Sequence, residues 1–396
     1  MTVANPDGRV LVEHGALASM ESHAGRRVGV ENALQLSAVW ACIRQTAQTI
    51  ATLPLTHYAR AADGGREPLD ERLSEILTVS PNSEQTATEH WEGQIAWLLS
   101  NGNCYAERVN TGRRLSALLP LPASRCEPRR LSDGRVVYDI NDRGKRDTLP
   151  ADKVFHVKGF GFGGIKGLSA IRFGLQSIGS GLAADEMAAK MFANGMNPSG
   201  FLKFTGTLTP EQRDSTRELL TNFSGSSKAW KVLVLENGMD WQAATLNPED
   251  AQMLETRQFS VEDICRWFGT PPVVIGHSAK GQTMWGSGVE QILISWMTQG
   301  LNPLMRRIES RIGRDLVRPE RPGTYVEWNR EGILQMESKA KAEFLQTLVN
   351  GGMMTPNEAR TKLNLPSIPG GNTLLVQGAM ITLDQLIARA KNEDTP

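Results

Sequence analysis

Residues 167–195 read GLSAIRFGLQSIGSGLAADEMAAKMFANG. Leu168, Ile171, Leu175, Ile178, Leu182, Met187 and Met191 recur at the steps of a single helix face. At 1.5 Å per residue such a helix is roughly 40 Å long, more than a small globular core requires. A second long helix is expected from about Pro248 to Phe268, ended by Gly269-Thr270-Pro271-Pro272. Between the two, residues 197–247 read as strand, helix and strand: Gly200 to Phe204, Thr209 to Phe223, and Lys231 to Leu235. Thr209 stands as N-cap there, with Pro210 in the first turn. A Gly-, Ser- and Thr-rich loop, 276–288, then leads into a third long helix to about Leu316. A mixed insert between long helices, followed by a glycine-rich loop, organises the chain.

Upstream the pattern differs. Residues 1–31, rich in Gly, Ala, His and Ser without periodicity, are expected to form a mobile arm. From Asn32, Leu36, Val39, Ile43, Ala47 and Ile50 line a helix face that Pro54 ends. A strand at Leu55–Tyr58 and helices near 69–78 and 84–100 follow. Strands are then expected at Tyr105–Val109, Leu115–Leu121, Val136–Ile140 and Val154–Val157. Turns Asn-Thr-Gly, Ser-Asp-Gly and Asn-Asp-Arg-Gly separate them, the signature of one antiparallel sheet. Downstream, a strand at Tyr325–Trp328 precedes a helix from about Gly332 to Asn350 and a short one opened by Thr355-Pro356-Asn357-Glu358.

Composition narrows the function classes. The 396 residues suffice for two or three packed units. Forty-three basic residues balance forty-three acidic ones, against a protein whose main task is to grip nucleic acid. Cys42, Cys104, Cys126 and Cys265 lie at unrelated spacings, which speaks against a zinc site or a disulfide framework. No apolar run approaches the ~20 residues of a membrane span, and the N-terminus lacks a basic head before an apolar core. A soluble intracellular chain without a signal peptide is expected.

Catalytic constellations are missing from the pattern. No GxxxxGK[ST] occurs. Gly159-Phe160-Gly161-Phe162-Gly163-Gly164 fits a dinucleotide fingerprint superficially, but no second parallel strand follows at the right distance; a hinge is the simpler reading. Gly276 to Gly281 resembles a nucleophile elbow with the wrong spacing, and His277 is the last histidine. Neither a cofactor, a metal nor an enzymatic activity is expected. The arginines 306, 307, 311, 314, 318 and 321 crowd one stretch against Glu309, Asp315 and Glu320; an anion contact or a salt-bridged helix end accounts for them.

Eight motifs in order carry a resemblance: AVWACIRQTAQTIATLPL (38–55), SPN (80–82), NGNCYAE (101–107), KGLSAI (166–171), FANGMNPSGFL (192–202), FGTPPVVIG (268–276), VEQILISWMTQGLNPLMRRIE (289–309) and TPNEAR (355–360). Over about residues 32–370 the chain resembles the portal proteins of long-tailed double-stranded DNA phages, prophages and gene transfer agents. The resemblance implies an α+β portal fold: wing of helices plus antiparallel sheet (32–165), stem helices (166–196 and 248–270), and a small α/β clip between them (197–247). It further implies tunnel loop, tunnel helix and wing strand (271–330), then a short helical crown and C-terminal tail (331–396). A homo-oligomeric ring, typically of twelve, is implied at one capsid vertex of the virion. Its partners would be double-stranded DNA held weakly and without sequence preference, the large terminase subunit, the major capsid protein and a head-completion or tail adaptor. No membrane partner is implied. Within the loop, Lys280, Gln282, Thr283 and Trp285 are the expected DNA-facing residues, and Gly276, Gly281, Gly286 and Gly288 its hinges. A loop that merely connects helices, with Trp285 as an intersubunit anchor, stays open, as does a protein-only ring or adaptor without DNA contact.

Overall fold

The computed structural model describes residues 3–4, 10–11, 20–60, 66–112, 114–142, 145–193, 200–203, 209–215, 240–243, 259–277, 287–330, 338–363 and 365–375. The chain divides into two units, Met1–Asn329 and Arg330–Pro396.

In the first unit, helix Ser37–Ala51 buries Ala38, Val39, Cys42, Ile43, Thr46, Ala47, Ile50 and Ala51, the face its periodicity foretold. Strand Leu55–Arg60 leaves it and pairs on one edge with Arg66–Pro68 and on the other with Thr324–Trp328, in antiparallel register Leu55↔Trp328. The chain therefore closes a sheet between segments some 270 residues apart. Helix Ala87–Asn101 opens with a capping box: Glu89 N donates to Thr86 Oγ1, and Thr86 N donates to Glu89 Oε2. It stops at Gly102, whose φ of 73° is the left-handed cap. Trp91 on this helix is buried, edge-on to Trp328 and Phe155, and its Nε1 donates to the Leu77 carbonyl.

Residues 103–158 form two three-stranded sheets rather than the one expected. Asn103–Thr111 lies between Val154–Lys158 and Arg114–Leu121. Val136–Asp142 lies between Cys126–Arg130 and Lys145–Pro150. The two added strands are edges carrying Pro128 and Pro150, and a proline without an N–H is tolerated there while masking the alternation that marks a strand. Tyr138 Oη meets His156 Nδ1 at 3.0 Å and joins the two sheets.

The long helix expected over 168–195 is broken into Ala170–Phe173 and Leu175–Ala193. Gly174 sits at the break, where a Cβ would stand 2.9 Å from the Ala170 carbonyl and 3.1 Å from the Trp267 ring. The arm also needs correction from Met20 onward: Met20–Glu21 pairs with Arg27–Val28, and this hairpin packs on helix Leu175–Ala193. The close approach requires Gly179, where a Cβ would lie 2.3 Å from Ser22 Cβ. Arg26 pairs with Glu186, and Val28 joins Leu36, Val39, Ile43, Ile171, Ile178 and Ile264 in one apolar cluster. That cluster ties both expected stem segments to helix Ser37–Ala51.

In the insert, Gly200–Lys203 pairs antiparallel with Asp240–Ala243, and residues 210–215 are helical behind Thr209, whose Oγ1 accepts from Gln212 N. The expected strand Lys231–Leu235 lies outside the described residues.

In the second unit, helix Ser338–Asn350 precedes Pro356–Lys362, which Thr355 and Glu358 open with a second capping box. Asn357 is buried and holds the following turn: its Nδ2 donates to the Ile368 carbonyl and its Oδ1 accepts from Ile368 N.

Candidate functional site

The loop singled out from sequence is held firmly at its entry. Residues 259–268 are helical, and Cys265 Sγ stands 3.8 Å from Cys42 Sγ on helix Ser37–Ala51. One turn further on, Thr270 and Thr46 share a hydroxyl hydrogen bond of 3.2 Å. Pro271 then starts the tight turn Pro272–Ile275, and Ile275 packs on the apolar cluster. Gly276 ends that turn with φ of 78°, a conformation that disfavours any side chain. Lys280, Gly281, Gln282, Thr283, Trp285 and Gly286 lie outside the described residues. On the far side, Gly288 is in the first turn of helix Ser287–Ser295, with open space where a Cβ would go.

From Ser287 the helix runs to Glu320, past the expected end at Leu316. It contains two π turns, Trp296–Leu301 and Gly313–Val317, each ending two residues before a proline, Pro303 and Pro319. A proline cannot donate the ordinary bond to the fourth residue back, and the widened turn accommodates that loss. Trp296 lies buried in the first, so close that a Cβ on Gly300 would meet its ring at 2.7 Å.

Five of the six arginines of this stretch make contacts within the fold. Arg306 reaches Glu309 and Glu327, Arg311 pairs with Asp315 at 2.6 Å, and Arg321 pairs with Glu71. Arg307 donates to the carbonyls of Lys158 and Gly159. Glu309 is buried and accepts from Trp328 N at 2.8 Å. Burial raises the Asp315 carboxyl above its ordinary value, and the arginines beside it, Arg311 first, oppose the shift. The salt-bridged reading of this cluster holds.

Other titratable groups are part of the core. Burial holds His90 down at about 4, and lowers His156 well below the usual imidazole range with Arg311 and Lys158 adding to the effect. Among the described residues no group of three His, Cys, Asp or Glu is placed to hold a metal ion, and no helix is long and apolar enough to cross a membrane. The glycine run at 159–164 is pinned rather than hinged. Gly159 N donates to the Gly102 carbonyl at 2.7 Å, Leu168 N to Phe160 O, and Lys158 Nζ to Gly164 O. Phe160 and Phe162 stand out from it into solvent.

Residues 37–364 match the phage portal protein family. The chain belongs to that family. It is 34% identical to the portal protein of Enterobacteria phage HK97, over 90% of this chain and 85% of that one. It is 30% identical to the probable portal protein of Streptomyces phage phiC31, over 90% and 79%. Its fold is that of a chain from the neck of a native gene transfer agent particle computed with C12 symmetry, with TM-score 0.61, 21% identity, and 89% of this chain and 97% of that one covered. Portal proteins are structural components of the virion, rings at one capsid vertex through which DNA is packaged and released and to which the tail attaches, and this chain has that role.

Sequence reasoning missed the hairpin Met20–Val28, whose two-residue strands show no readable alternation. It missed as well the backbone contact of Gly102, Gly159 and Gly167, for which the glycines themselves were the available signal.

Proposed function

We propose that twelve copies form the ring, that residues 276–288 of each face the DNA path, and that the role is that of a conduit without catalysis. What supports the reading is the family match across residues 37–364, together with a loop whose entry is fastened to the core through Thr270 and Ile275. Lys280, Gln282, Thr283 and Trp285 would supply weak polar and stacking contacts, with Gly276, Gly281, Gly286 and Gly288 leaving the backbone free. Neutral net charge suits this task. Duplex DNA offers about one phosphate charge per 1.7 Å, so a ring of strongly basic lumens would grip too tightly to let it slide. The clip, 197–247, would dock the large terminase subunit and later the head-completion or tail adaptor, and the wing would meet the major capsid protein.

Particles assembled with Lys280→Ala, Trp285→Ala and the double variant test the loop. Rings form in each, and the double variant loses genome retention or packages a shorter length. Wild-type retention and length from the double variant, with rings intact, would reduce the loop to a connector. Loss of rings in Trp285→Ala alone would make that indole an intersubunit anchor.

A further inference from the structure

Asn101 ends helix Ala87–Asn101, is 5% exposed, and has no hydrogen-bond partner at either Oδ1 or Nδ2. A buried carboxamide left so costs free energy unless something else meets it. It lines a cavity of about 530 Å³ between strand Asn103–Thr111, the sheet of strands 126–150, and residues 166–172. That is room for far more than one or two waters, at about 30 Å³ each, and lies in the range of small-molecule sites.

The charges around this cavity do not cancel. Glu127 pairs with Lys166. Asp139 is answered by Arg129, which stands outside the lining, at 2.8 Å, and accepts as well from Thr148 Oγ1. Among the described residues Asp147 accepts from its neighbour Thr148 N alone. Against it stand three further lining arginines, Arg125, Arg146 and Arg172, of which Arg146 and Arg172 form no side-chain hydrogen bond or ion pair among the described residues. A positive surplus at the wall therefore accompanies an unmet donor and acceptor at Asn101.

We propose that this cavity binds a nucleoside monophosphate, with the phosphate on Arg172 and Arg146 and the base edge on the Asn101 carboxamide. Guanidinium groups take phosphate oxygens in paired hydrogen bonds. A planar carboxamide offers one donor face and one acceptor face, the complement of an adenine edge at N6 and N7. A duplex is too wide to enter a cavity of this size, so the ligand is the free nucleotide and not the DNA in transit. The site stands apart from loop 276–288, and it fails or holds independently of the role given to that loop.

Calorimetry on the full-length protein with AMP, adenosine and inorganic phosphate tests it. AMP binds more tightly than either of its parts. Asn101→Leu weakens AMP at least about tenfold and leaves phosphate binding unchanged, by the discrimination typical of a paired base contact. Arg172→Gln abolishes phosphate binding while adenosine still binds. Without ligand, Asn101→Leu melts no lower than the wild type, because it removes a group that nothing satisfies. Absence of AMP binding at millimolar concentration overturns the proposal. So does equal binding of AMP and phosphate that Asn101→Leu leaves unchanged, which would mean an ion on surface arginines only. A lower melting temperature of unliganded Asn101→Leu also overturns it, since bound water would then be satisfying the carboxamide.

Discussion

A Cβ added at Gly167 would stand 2.2 Å from the carbonyl oxygen of Gly102. The obstacle is backbone on both sides: Gly159 N is only 2.5 Å from the same point, and Gly159 itself donates to the Gly102 carbonyl. Three glycines thus let the end of helix Ala87–Asn101, the end of strand Val154–Lys158 and the residues leading into helix Ala170–Phe173 cross at one place. Gly167→Ala should cost about 1–3 kcal/mol, the range of overpacked cores, because no flexible side chain can give way. Gly93→Ala is its control. That position lies in the interior of the same helix with nothing within 4 Å, so alanine should be neutral or stabilise by up to about 1 kcal/mol. Denaturant midpoints of the two variants decide it; equal midpoints would mean that the crossing is loose.

Mild acid should weaken the fold before most carboxylates titrate. The buried His90 is held at about 4 against an ordinary 6.5, so the unfolded chain takes up the proton first as pH falls. Its contribution is fully present above pH 6.5 and is lost as pH falls toward 4. His57 and His156, also lowered mainly by burial, act in the same sense. Between pH 6.5 and 5, His90→Leu should flatten the stability slope by roughly 1.4 kcal/mol per pH unit, one imidazole's share. Unfolding curves at several pH values read this directly, and an unchanged slope would place His90 in contact with solvent.

Arg307, exposed but bonded to the protein's own backbone, separates a structural arginine from a DNA-binding one. Its guanidinium donates to the Lys158 and Gly159 carbonyls, so Arg307→Ala should cost about 1 kcal/mol of stability. Arg318 is exposed, and Arg318→Ala should fall within about 0.5 kcal/mol of the wild type. Neither should change the salt dependence of DNA retention. A shallower salt slope for Arg307→Ala would turn that side chain toward the phosphates.

The insert should be separable from the wing. Among the described residues its strand pair, Gly200–Lys203 with Asp240–Ala243, is its own two-stranded sheet, and the core cluster draws no residue from it. Deleting Gly206 to Leu246 should leave rings visible by native mass spectrometry and abolish terminase-dependent packaging. Packaging by the deleted ring would move the docking surface elsewhere.

The sequence alone determined whatever repeats locally. The apolar face of helix Ser37–Ala51 follows from three- and four-residue spacing, since one helix turn samples only its own neighbours. Turns at Gly112 and Gly134, with φ of 65° and 87°, follow from a residue type that tolerates them. The N-caps at Thr209 and Thr355 follow from a hydroxyl placed three residues before a side chain able to answer it. Family membership was legible too, in the order of eight short motifs. Only the tertiary structure decided what depends on distant segments meeting. Two sheets instead of one, the hairpin Met20–Val28 against Gly179, and the bend at Gly174 under Trp267 each join residues far apart in sequence. The same holds for Asn101, an unremarkable helix-end residue whose unmet carboxamide is created by the strands that close around it. Local spacing encodes which face a segment must bury; packing free energy, summed over contacts that spacing cannot see, decides what it is buried against.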